Sequence, residues 1–299
     1  MTQPDTPSDI QAPTQAQTQA PTHAQSHAQT LSSYTLLPAR PRPSTAGVDA
    51  ALAALGIVGS ADMTIDAGKF AAYQALTSYQ TSYPKYYTQF GKPETWERKQ
   101  LEHYISIEVL QPKQDGVYID VAAAGSPVAA VMRTHYAARA YGQDIRWAAG
   151  VDETLWRIGS NASTIPLPDA SVDGIVTHNA IEHFEDHYDR GFMLECGRLL
   201  KPGGVVCIIP FVPMDQGYSV TAPDFWQIKF GAGAADPVFD PRLPVVVDNG
   251  CKQRLLKVHS AQTLSQDCAI AAALNWTLVQ ITNAADFGFQ RAMLIGRKA

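Results

Sequence analysis

What is missing narrows the field first. The 299-residue chain has four cysteines, Cys196, Cys207, Cys251 and Cys268, and no CxxC pair among them. Without that spacing a zinc ribbon or redox dithiol is disfavoured, and the thiols are expected to be reduced and structural. No block dense in Lys and Arg occurs, and the formal net charge is −5. Nucleic-acid binders carry a basic stripe, so nucleic acid is not an expected partner. The longest apolar run, around Val205–Val212, falls far short of the about twenty residues a bilayer span requires. No basic segment followed by an apolar one opens the chain, so a cytoplasmic location is expected. Aromatic and basic side chains are missing until Tyr34 and Arg40. Gln, Thr, Ala, Pro, Ser and His fill that segment, with a four-residue repeat from Thr14. Such a tract has too little apolar surface to offset an ordering entropy of about 1–2 kcal/mol per residue. Residues 1–45 are therefore expected to be a disordered tail, joined to the folded part at Pro38, Pro41 and Pro43. Its His23 and His27 lie on too floppy a chain to make a good metal site.

Hydrophobic residues make up 45% of the chain, enough for a full core. Residues 46–110 read as an N-terminal helical cap. Gly47–Val58 is short and rich in Ala and Leu. Asp66 is placed to cap a helix carrying Phe70, Tyr73, Leu76 and Tyr79, which Pro84 breaks. Glu94–Leu110 carries Trp96, Leu101, Tyr104, Ile105 and Val109 as one apolar stripe at helical period. The cluster Tyr79, Tyr83, Tyr86 and Tyr87 between them either packs these helices together or covers a pocket. From residue 116 short apolar strands alternate with helices, which predicts βαβ units and a mostly parallel sheet. Ligands bind at the carboxyl ends of strands in such sheets. Residues 212–259, rich in Pro and Gly, interrupt the rhythm and are expected to form a substrate loop.

Three segments carry the most information. Ile165–Val176 reads Ile-Pro-Leu-Pro-Asp-Ala-Ser-Val-Asp-Gly-Ile-Val, His178–Phe184 reads His-Asn-Ala-Ile-Glu-His-Phe, and Glu195–Gly204 reads Glu-Cys-Gly-Arg-Leu-Leu-Lys-Pro-Gly-Gly. Their order resembles class I S-adenosylmethionine-dependent methyltransferases of the type 11 group. The match runs through Pro166, Leu167, Pro168, Asp169, Ser171 and Asp173, then Glu182 and His183, then Glu195, Arg198, Leu200, Lys201, Pro202, Gly203 and Gly204. It covers about residues 100–215.

The resemblance implies a Rossmann-like α/β fold: a seven-stranded, mostly parallel sheet with flanking helices, over residues 111–299. It implies S-adenosyl-L-methionine as cofactor. Asp120 stands in the acidic place of the family's first motif, followed by Ala122, Ala124, Gly125 and Ser126 where the family carries its glycines. An Ala at positive φ there would cost on the order of 1 kcal/mol. The turn also lacks the Gly-x-Gly-x-x-Gly of a nicotinamide dehydrogenase. For the carboxylate that accepts the ribose hydroxyls, Asp144 is favoured and Asp152 is the rival. Asn161 and Ala162 fall where the family contacts adenine, and Asn179 lies beside the cofactor. His178, Glu182 and His183 are the candidate catalytic residues, as a base or to orient the acceptor. His183 and His187 are four apart, but a metal is not expected. Asp169 and Asp173 are expected to hold the turn, and Arg198 and Lys201 to serve the helix end and its surface. The expected acceptor is a small molecule or glycan, attacked through oxygen. A non-catalytic methyltransferase-like binding protein is the alternative, motivated by the glycine-poor turn.

Overall fold

The computed structural model describes residues 30–42, 44–56, 58–89, 93–227, 236–288 and 292–299. In chain order its N-terminal elements are β1 (Leu36–Leu37), α1 (Val48–Leu55), β2 (Val58–Met63), α2 (Ala67–Thr77), α3 (Tyr79–Ser82), α4 (Pro84–Gln89) and α5 (Pro93–Leu110). Then come β3 (Val117–Val121), α6 (Val128–Tyr136), β4 (Arg139–Asp152), β5 (Arg157–Gly159), β6 (Val172–His178), α7 (Tyr188–Leu199) and β7 (Leu200–Ile209). The chain continues through β8 (Tyr218–Thr221), β9 (Val245–Val247), β10 (Leu256–Val258), α8 (Ala261–Ile270), β11 (Leu274–Ile281) and β12 (Ala292–Lys298).

The strands form an eight-stranded sheet in the order β2-β11-β12-β7-β6-β3-β4-β5. Only β12 runs antiparallel to both its neighbours. The first half of β4 lies parallel to β5, and its second half, from Ala149, turns back along the same three residues. Side chains alternate across the sheet, as strand geometry requires. Ile119, Val121, Val206, Ile208 and Leu278 face one core with Val48 and Leu52 of α1, Phe192 of α7 and Leu264 of α8. Tyr118, Val205, Cys207, Ile209 and Val279 face the other core with α2, α5 and α6. Among the described residues no helix is long and apolar enough to cross a membrane.

Local signals explain the helix ends. Asp66 caps α2 by accepting from Lys69 N at 3.0 Å. The helix stops at Thr77, not at Pro84, because Ser78 turns left-handed at φ 44°. Pro84 then opens α4. Ser260 and Thr263 form a reciprocal capping box on α8.

Three expectations need correction. The sheet has eight strands, not seven, because β2 adds an edge inside a stretch read as purely helical. Its sequence, Val-Gly-Ser-Ala-Asp-Met, has no strand periodicity; pairing with β11 makes it a strand. Asn283 fastens its exit by accepting from Ile65 N and donating to Ile65 O, both at 2.9 Å. The segment 212–259 is no plain loop either. Its β8, β9 and β10 form a second sheet in the order β1-β9-β8-β10, over Trp226, Phe239, Val245 and Leu255. The fourth strand of that sheet is β1, drawn from residues expected to be tail. Tyr34 packs edge-on against Phe239 and Arg40 pairs with Asp248 at 2.7 Å. Residues 1–29 and 43 of the expected tail lie outside the described residues.

Candidate functional site

The turn after β3 and the end of β6 meet at a cavity of about 330 Å³. It is lined by Asp120, Ala122, Ala123, Ala124, Gly125, Ser126, His178 and Asn179 from the sheet side, and by Tyr86, Lys99 and His103 from the helical side. This is the carboxyl edge of a parallel sheet, where such folds bind ligands.

The turn is held from β4. Gln143, 1% exposed, accepts from Ala122 N through its side chain and from Ala123 N through its backbone carbonyl. Asp144 Oδ2 accepts from Ala124 N at 2.8 Å. Ala122 and Ala124 sit in left-handed backbone at φ 53° and 50°, the strained arrangement the missing glycines predict. Gly125 does not.

Asp120 is 2% exposed. Its Oδ1 lies 3.4 Å from His178 Nδ1, and its Oδ2 is buried with no hydrogen-bond partner. The hydroxyl of Ser106 donates to the His103 carbonyl at 2.9 Å, so its oxygen accepts from His178 Nε2 at 3.0 Å. His178 is thus held between the Ser106 hydroxyl and the Asp120 carboxylate.

The helical wall is one polar side of the amphipathic helix α5. Lys99, Glu102, His103 and Ser106 lie on one side of α5, and Glu102, His103 and Ser106 are buried. Glu102 Oε2 accepts from Lys99 Nζ at 3.1 Å and from the Asn179 amide. Burial raises the Glu102 carboxyl above its ordinary range, against the opposing pull of Lys99. His103 touches Tyr79 through Nδ1 at 2.9 Å and Tyr86 through Nε2 at 3.2 Å. Desolvation, then the charges of His178 and Lys99, push the His103 imidazole well below its ordinary value, so it is neutral. Burial also raises the phenols of Tyr73, Tyr79 and Tyr86, which stay protonated.

Of the residues expected from sequence, the cavity brings together Asp120, Ala122, Ala124, Gly125, Ser126, His178 and Asn179. Others lie outside its lining. Asp144 is engaged: besides Ala124 it accepts from Arg146 N, Nε and Nη2 at 2.9–3.2 Å. Its rival Asp152 accepts from Thr154 N and Leu155 N in the turn that closes β4. No helix separates β4 from β5, and Asp144 stands at the carboxyl end of the part of β4 that pairs with β3. Asn161 accepts from Ser163 N and Oγ in a local turn, and Ala162 is buried in the core. Glu182 and His183 sit on a short 3₁₀ turn, with His183 Nδ1 at 2.7 Å from the Leu255 carbonyl. The second sheet thus claims His183. His187 pairs with Asp186 at 2.6 Å.

Arg198 does more than serve a helix end. Glu195 accepts from Ile165 N at 2.6 Å, and Arg198 reaches Glu195, Asp169 and the carbonyls of Ile165 and Leu167. Asp173, expected to hold its own turn, instead ties distant segments: its Oδ2 accepts from Val117 N and Lys201 Nζ. Sequence reasoning missed Lys99, Glu102, His103 and Ser106. Their spacing of three and four was a readable signal, masked by the apolar stripe of the same helix.

Residues 119–208 match a family described as a methyltransferase domain, the type 11 group. A probable S-adenosylmethionine-dependent methyltransferase of Mycolicibacterium smegmatis is 48% identical over 48 residues, which are 16% of this chain and 18% of that protein. The chain thus matches less than a fifth of that relative's length. The chain is also similar to two solved structures. Burkholderia thailandensis 1,6-didemethyltoxoflavin-N1-methyltransferase, with 1,6-didemethyltoxoflavin and S-adenosylhomocysteine bound, is 15% identical at TM-score 0.43, covering 80% of this chain and 94% of its own. Geranyl diphosphate C-methyltransferase of Streptomyces coelicolor is 13% identical at TM-score 0.42, covering 70% of this chain and 88% of its own.

Proposed function

With residues 119–208 matched to a methyltransferase domain of the type 11 group, we propose that this chain transfers a methyl group from S-adenosylmethionine to an acceptor. The observation that carries the reading is Asp120. Its Oδ2 is buried at the cavity edge without a partner, beside a turn of small residues. A buried carboxylate oxygen left so is costly unless a ligand donor meets it. The cofactor's ammonium is such a donor, so the residues present fit that group. When bound, S-adenosylmethionine supplies a methyl group activated by its sulfonium.

The chain's own part is to bind, orient and exclude water. Holding two reactants in line is worth about 7–11 kcal/mol, more than one general base contributes at about 10²–10⁴-fold. A proton released by a hydroxyl acceptor has a destination at the His178 imidazole, which the Asp120 carboxylate faces at 3.4 Å. His178 is therefore our candidate base, in preference to His183. A small-molecule or glycan acceptor attacking through oxygen is the class we retain. The net charge of −5 supports it over a polyanion.

Calorimetric titration of the full chain with S-adenosylhomocysteine tests the reading. Saturable micromolar binding, weakened in Asp120→Asn, supports it. No binding to the folded protein overturns it in favour of a non-catalytic methyltransferase-like chain.

A further inference from the structure

The segment that supplies β8, β9 and β10 leaves the main fold at Met214 and rejoins it at His259. Met214 N donates to the His259 carbonyl at 2.8 Å and closes the neck of this insert. The His259 side chain is 6% exposed, with its ring 5.3 Å from that of Phe211, just past β7. Neither ring nitrogen has an aligned hydrogen-bond partner among the described residues, yet each faces a carboxylate. Nε2 lies 3.3 Å from Asp189 Oδ2 of α7, and Nδ1 lies 3.9 Å from Asp267 Oδ2 of α8. Both carboxylates are buried, and both belong to the main fold. The insert meets them with two cations. Lys257 Nζ donates to Asp189 at 2.8 Å and to the Asp186 carbonyl at 2.7 Å. Arg242 donates to Asp267 at 2.7 Å and to Asp240, on the insert itself, at 2.6 Å. The main fold thus brings two negative charges to the neck, and the insert brings two positive and one negative. With His259 neutral the buried group is one positive charge short. Burying an uncompensated charge is costly, and a proton on His259, between the two carboxylates, supplies the missing one. Burial alone would raise the Asp189 carboxyl, but His259 and then Lys257 hold it well below its ordinary range. A divalent cation in the proton's place would reverse the imbalance rather than remove it, beside the Lys257 ammonium.

We propose that His259 is a proton-operated latch: charged, it clamps the neck of the second sheet between α7 and α8, and neutral, it lets that sheet open. This goes beyond the function proposed above and does not depend on it. The second sheet also holds His183 through the Leu255 carbonyl at 2.7 Å, so opening the neck loosens the turn that follows β6. The direction of the effect follows from linkage. An imidazole in an unfolded or opened segment titrates near about 6.5. A proton held more tightly in the closed neck gives stability that is present below that pH and is lost as pH rises above it.

The test is amide hydrogen exchange of the full chain at about pH 6.5 and about pH 8.5, corrected for the intrinsic rise of exchange with pH. In the wild type the corrected exchange of β8, β9 and β10 should increase about fivefold or more between the two, while that of β3, β6 and β7 stays within about twofold. His259→Gln cannot take the charge and should remove the pH dependence of the second sheet. Asp189→Asn removes the imbalance from the other side, since the neck is then neutral without the proton, and should flatten the same profile. It serves as the control if His259→Gln does not fold. Wild-type exchange of the second sheet that does not change with pH overturns the latch, whatever the variants do. So does an equal rise in both sheets, which would mark global loosening. A pH dependence that persists in His259→Gln places the titrating group elsewhere and also overturns it.

Discussion

The left-handed alanines of the turn after β3 invite a direct test of backbone strain. Ala124 is exposed at φ 50° and Ala122 is partly packed against the core at φ 53°. An L-residue in this region costs about 1–2 kcal/mol, and Gly removes that cost. Gly also returns freedom to the unfolded chain, worth about 0.4–1 kcal/mol. For Ala124→Gly the difference is a net stabilisation of about 0.5–1 kcal/mol. For Ala122→Gly, loss of a half-packed methyl takes back part of about 0.8 kcal/mol, and the net effect is near zero. Gly125 is the control. No atom lies within 4 Å of a Cβ built there, and its φ is outside the left-handed region. Gly125→Ala should therefore stabilise by about 0.4–1 kcal/mol through the unfolded state. Urea denaturation of the three variants, with unchanged m, measures all of this. A lower midpoint for Ala124→Gly than for wild type, or clear destabilisation by Gly125→Ala, would refute the strain argument.

Three further outcomes are expected. Glu195→Ala strands the Ile165 amide and removes the partner of Arg198; discounted for the partly exposed guanidinium, the loss is about 2–3 kcal/mol in the same assay. Burial on its own raises the Asp189 carboxyl, but contacts with His259 and Lys257 (2.8 Å) overcome it and hold the group well below its ordinary range. A depressed folded pKa gives stability that is present above the unfolded value of about 3.9 and is lost as pH falls below it. Asp189→Asn should flatten the fall in stability below about pH 4, and an unchanged slope would contradict the assignment. Finally, a chain beginning at residue 46 should unfold at lower urea than one beginning at residue 30, because it lacks β1 and the Tyr34–Phe239 contact. Coincident curves would show that β1 adds nothing.

Much of this was legible in the sequence because it is local. The caps at Asp66 and Ser260 depend on residues three apart. The strand that ends at His178 and the buried run of β7 follow from apolar runs bounded by turns. The turn at Ala122–Ser126 was recognisable by residue type, and even its strain followed from the alanines that stand there.

What was missed depends on partners distant in the chain. Val58–Met63 has no strand pattern and becomes a strand only on the edge that β11 offers. Leu36–Leu37 pairs with a strand over two hundred residues later. His183 has the chemistry expected of a site, yet the Leu255 carbonyl, far along the chain, engages its Nδ1. Conversely, Lys99, Glu102 and His103 read as the incidental polar side of an amphipathic helix until packing turns that side toward β3 and β6. By itself the sequence determined the alternating α/β order, the site-forming turn and the strand end that faces it. The tertiary structure decided which polar groups remain available there, because a hydrogen-bond donor or acceptor is consumed by whichever partner folding brings within reach.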